Sequence, residues 1–84
     1  MFENLADLDQ AIEVAVRLLS ISRECGFEDS ITAIMTDIKQ VILPDCLLLL
    51  CTSTGELRKA VARRYRRLLR MVANEHRPQL AGRV

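Results

Sequence analysis

The stretch Leu5-Ala-Asp-Leu-Asp-Gln-Ala-Ile-Glu-Val-Ala-Val-Arg-Leu-Leu-Ser-Ile-Ser-Arg-Glu24 decides the fold. Set at about 100° per residue, Asp9, Glu13, Arg17, Ser20 and Glu24 fall in a polar arc about 80° wide, and the rest is largely apolar. Leu5, Leu8, Ile12, Val16 and Leu19 form one apolar side. Ala11, Val14, Leu18, Ile21 and Cys25 form a second, at spacing 3-4-3-4. That period is helical, and a helix apolar over more than half its circumference needs cover on two sides. The reading is a central helix over about residues 5–24. Glu13 and Arg17, four apart with the acid first, support it on the polar side.

Outward from this segment the chain is punctuated clearly. Gly26 suits the left-handed position just past a helix end. Phe27, Ile31, Ile34, Ile38 and Val41 then repeat at 4-3-4-3, which predicts an amphipathic helix over about 27–43. Glu28 and Asp29 sit in its first turn, where the helix dipole favours negative charge. Its β-branched residues carry modest helix propensity, so packing must stabilise it. Pro44 ends this helix or starts the next. The run Asp45-Cys-Leu-Leu-Leu-Leu-Cys51 is too short for periodicity to separate strand from helix. Pro44 and Asp45 at its head and four leucines inside favour a short buried helix over 45–51.

Ser53-Thr-Gly-Glu56 matches a capping box, with Ser at the cap and Glu three residues on. A last helix is expected over about 54–75, halted ahead of Pro78, with a tail over 77–84. Its apolar stripe is Leu57, Val61, Tyr65, Leu68 and Val72. Opposite lie Lys59, Arg63, Arg66, Arg67 and Arg70, within an arc of about 100°. The expected fold is all-α: one domain over 1–84, a compact bundle of three long helices plus one short helix, with antiparallel neighbours and an oligomeric state.

Composition argues for the oligomer. Of 84 residues, 30 are Leu, Ile, Val, Met or Phe, whereas a domain this short buries only about 60% of the surface its unfolded chain exposes. Three modest helices can hardly shelter both sides of the first helix and the leucine block as well. The net charge of +1 implies no particular partner. Its distribution says more: residues 1–50 hold nine acids and three bases, and residues 51–84 hold two acids and nine bases. The basic part can fold onto the acidic part, or the two can meet different partners.

Several functions are argued against. Three cysteines, Cys25, Cys46 and Cys51, lack C-x-x-C spacing, and His76 is the single histidine, so no metal site, disulfide framework or cofactor is expected. Reduced thiols, an acidic start (Glu3, Asp7, Asp9) and a longest apolar run of six residues fit a cytoplasmic protein. Neither Ser nor Cys has a plausible nearby base, and no Gly-rich phosphate loop is present. Asp7 and Asp9 cannot share a helix face, and Glu75 beside His76 falls at an expected helix end without shelter. The chain reads as non-enzymatic.

The leading expectation is a protein-binding module, an adaptor, regulator or chaperone-like subunit, using Ala11, Val14, Leu18 and Ile21 with Leu47 and Leu48. A homodimer is the first expected form and a heteromer the second. Ala11 and Ala15 are small enough to let a second helix approach closely. The alternative is nucleic-acid binding through Lys59, Arg63, Arg66, Arg67 and Arg70. Near-zero net charge and the absence of an aromatic stacking platform weaken it, since Tyr65 belongs to the apolar stripe. A helix-turn-helix over Asp45–Arg70 also fits poorly, because its turn carries Thr52, Ser53 and Thr54 in place of an apolar packing residue. The last helix could lie on an anionic membrane, but the core needs the same stripe, so a membrane partner is not expected.

Overall fold

The computed structural model describes the backbone of residues 2–81 and the side chains of residues 2–74. Among them the chain is all-helical with no strand, and its three helices are α1 (Leu5–Cys25), α2 (28–52) and α3 (Gly55–Ala81). Helix α2 joins Glu28–Asp37, a π-helical turn at Ile38–Ile42 and Leu43–Thr52 without a break.

Helix α1 forms where its pattern demands. Asn4 caps it, its Oδ1 accepting the backbone N–H of Asp7 at 2.9 Å. The far end closes on Gly26 at φ +73°. There the Gly26 N–H donates to the Arg23 carbonyl at 3.3 Å and the Phe27 N–H to Ser22 at 2.8 Å. This double bond pattern needs a left-handed residue, which glycine supplies without a Cβ clash.

The expected short helix over 45–51 is not separate, and the count is three helices rather than four. Pro44 does not break the chain's course. The preceding turn is π-helical, with the Leu43 N–H reaching back five residues to the Ile38 carbonyl. A proline ring in a regular helix collides with the carbonyl four residues back, and a widened turn moves that carbonyl aside. One rod therefore replaces two.

Two further expectations are corrected at α3. The Ser53–Glu56 capping box does not form: the Ser53 hydroxyl turns back and donates to the Leu49 carbonyl at 2.6 Å. Glu56 instead accepts from Lys59 at 3.4 Å. Gly55, at φ +59°, makes the reversal between α2 and α3, and a side chain there would meet a conformational penalty rather than a steric one. The helix also runs beyond residue 75, through Pro78 to Ala81. A proline removes one backbone donor, at about 3 kcal/mol, and does not by itself end a long helix. The rest of the expected tail, 82–84, lies outside the described residues.

All three helices touch one another. The first part of α2 lies against α1, its last part against α3, and the π turn touches both. Leu8, Ile12, Ala15 and Leu19 of α1 meet Met35, Ile38, Ile42, Cys46 and Leu49 of α2 and Val61 and Leu68 of α3 in one core. The expected stripe of α2 is turned slightly: Met35 and Ile42 are buried, while Phe27 and Val41 are exposed. One charge link joins the two halves, with Arg64 of α3 reaching Asp9 of α1.

Candidate protein interface

The site begins with the geometry of α1. Sealing Leu8, Ile12, Ala15 and Leu19 in the core turns Val14 and Leu18 outward, where they are 49% and 47% exposed. The first part of α2 runs alongside and adds Ala33 and Ile34, and the π turn adds Val41. Between the two helices lies a groove of about 850 Å³ with an apolar floor. Ala11 and Ala15 keep α1 low there, since neither side chain projects far enough to fill the space. Three carboxylates, Asp7, Asp37 and Asp45, also line the groove, and among the described residues no lysine or arginine does. The molecule thus offers an aliphatic slot edged with negative charge.

Of the six residues expected at an interface, the structure brings Ala11, Val14 and Leu18 together in this groove. Ile21, one turn on, is exposed outside it. Leu47 and Leu48 are also exposed but do not line it. The contribution of α2 was missed. Val41 of the expected apolar stripe is exposed and Ile34 is only partly buried against the core, while Met35 and Ile42 beside them are fully in it. The available signal was the pair Met35 and Ile42, which with Ile38 repeat at 3-4 and compete with the chosen stripe.

The basic residues divide. Arg63, Arg67 and Arg70 of α3 face Arg17 of α1 across a second cleft, of about 680 Å³, which Arg64, Asp9 and Glu13 also line. Lys59 lies outside it, and so does Arg66, which is exposed. The Arg64 Nε donates to Asp9 Oδ1 at 2.9 Å and its Nη2 to Oδ2 at 3.3 Å, a forked pair. Its Nη1 donates to the Ala60 carbonyl at 3.2 Å. The hydrogen bond to Asp9 raises the Arg64 pKa, partial burial opposes the rise, and the charge of Asp9 adds to it. Arg17 pairs with Glu13 at 2.6 Å on the exposed side of α1. Sequence reading missed Arg64 because it lies off the arc of the other five, and its purpose is to tie α3 to α1.

Among the described residues no helix is long and apolar enough to cross a membrane. No protein-family model and no curated protein matches the sequence, and no solved structure matches the chain. The functional reading therefore stands on these residues and their geometry.

Proposed function

We propose that this chain is a protein-docking module, an adaptor, regulator or chaperone-like subunit, whose working surface is the groove between α1 and α2. The observation that carries the reading is the half-exposure of Val14 and Leu18 on the floor of an apolar slot. Fully burying a Val or Leu side chain contributes about 1.5–3 kcal/mol, so covering the exposed half of each adds about 1 kcal/mol. Exposed aliphatic surface of this kind, rimmed by polar residues, is what a partner chain covers. The surrounding carboxylates keep the uncovered surface wetted.

A photo-crosslinking residue placed at position 18, and in a second variant at position 13, tests this in the native cell. Covalent adducts to another polypeptide are expected from position 18 and not from position 13, where Glu13 is exposed on the polar side. Equal yields from both positions contradict the reading.

A second reading, nucleic-acid binding, is favoured by one observation, the convergence of Arg17, Arg63, Arg64, Arg67 and Arg70 on one cleft. Asp9 and Glu13 partly neutralise it, leaving five positive against two negative groups. Binding through Arg63, Arg67 and Arg70 would weaken with salt at a slope of about −0.9 in log K per phosphate neutralised, hence about −3 in all. No binding to mixed DNA and RNA at low salt removes this reading.

A further inference from the structure

We infer that the occupant of the α1–α2 groove is a cationic amphipathic helix supplied by a different protein. This rests on the docking reading and adds the chemistry of the partner. The groove extends along α1 from Asp7 to Leu18. At 1.5 Å rise per residue that is about 16 Å, or three turns of a bound helix carrying anchors at i, i+4 and i+7. The apolar floor takes those anchors, and small Ala11 lets the partner backbone come close.

Charge decides between occupants. Asp7 and Asp37 line the slot, as does Asp45, and among the described residues no lysine or arginine does. A second copy meeting the first groove to groove would pool the carboxylates of both slots in one interface with no lysine or arginine from either lining to offset them, and like charges brought together oppose association. The cationic helix of this chain, α3, spends the centre of its apolar stripe on its own core, where Val61 and Leu68 are fully buried; Leu57 and Leu69 are exposed but twelve residues apart, so they make no continuous aliphatic face for a neighbouring copy. The complementary ligand is therefore a helix that carries aliphatic side chains on one face and Lys or Arg along both flanks, from another polypeptide.

Two synthetic helical probes of about sixteen residues test the inference by fluorescence anisotropy against the full chain. Both carry Leu at i, i+4, i+7 and i+11; one has Lys at the flanking positions, the other Glu. The Lys peptide is expected to bind at least about ten-fold more tightly at low salt, with the gap narrowing at 0.5 M salt. Asp7→Asn with Asp37→Asn should remove most of that gap, and Leu18→Asp should abolish binding of the Lys peptide, circular dichroism confirming that both variants stay helical. Equal affinity of the two peptides, or binding of neither, overturns the inference. So does sedimentation showing a wild-type dimer that Val14→Asp plus Leu18→Asp dissolves, a result that would leave the docking reading standing with a different occupant. Equal crosslinking from positions 18 and 13 would instead remove docking itself.

Discussion

The two apolar faces of α1 are built from the same kinds of residue and meet opposite fates. Leu8, Ile12, Ala15 and Leu19 are sealed by α2 and α3, with Leu8 at 0% exposure. Ala11, Val14, Leu18 and Ile21 repeat at nearly the same spacing on the same helix, and three of those four are exposed. Hydropathy and period state that a face needs cover; they do not state which molecule supplies it. Only the course of α2, which leans on one face and flanks the other, separates core from surface.

The largest effect expected from that contrast is on stability. Leu19→Ala should lower the unfolding free energy by 2–5 kcal/mol in urea titration, since a buried leucine leaves a cavity. A loss as small as that at a surface site would break the distinction between the faces. Next comes the cysteine contrast. Burial pushes the Cys46 thiol up to about 11 from its ordinary value near 9.0, whereas Cys25 and Cys51 are exposed. The folded chain favours the neutral thiol, so this contribution, of order 2 kcal/mol, is full below pH 9 and is lost as pH rises toward 11. Alkaline urea titrations should show that loss, Cys46→Ala should flatten it, and a thiol reagent should modify two cysteines quickly and the third only on unfolding.

Smaller still is the polar face. A double-mutant cycle on Asp9→Asn and Arg64→Gln should give a coupling of about 1 kcal/mol or less, because the pair is partly exposed to screening solvent. The smallest effect belongs to the open face: Leu18→Ala in the isolated chain should change stability by no more than about 0.5 kcal/mol. A value near that of Leu19→Ala would show the two faces to be equally buried.

The sequence made much of this visible. The long first helix, its two-sided apolar character and the Gly26 terminus follow from spacing and one left-handed residue. The basic face of α3 was also legible, since charge on a helix maps directly to an arc. What stayed hidden has local causes. A proline preceded by a π turn is tolerated, and no residue pattern signals that widening, so the helix through Pro44 was read as two. Ser53 had a choice of acceptors, and the backbone of α2 won over the cap of α3. The groove itself was half legible. The α1 side appeared as surplus, whereas the stripe of α2 gave no sign that Val41 would be open and Ile34 only half covered while Met35 and Ile42 are sealed.

The claim that another chain covers the open face is tested most directly by sedimentation of the fluorescently labelled chain in extract from its own cell. The account predicts that wild type sediments as a species larger than the 9.5 kDa monomer, and that Val14→Asp with Leu18→Asp returns it to monomer while remaining helical. A wild-type chain that sediments as the lone monomer at every concentration, unchanged by the double substitution, would contradict it.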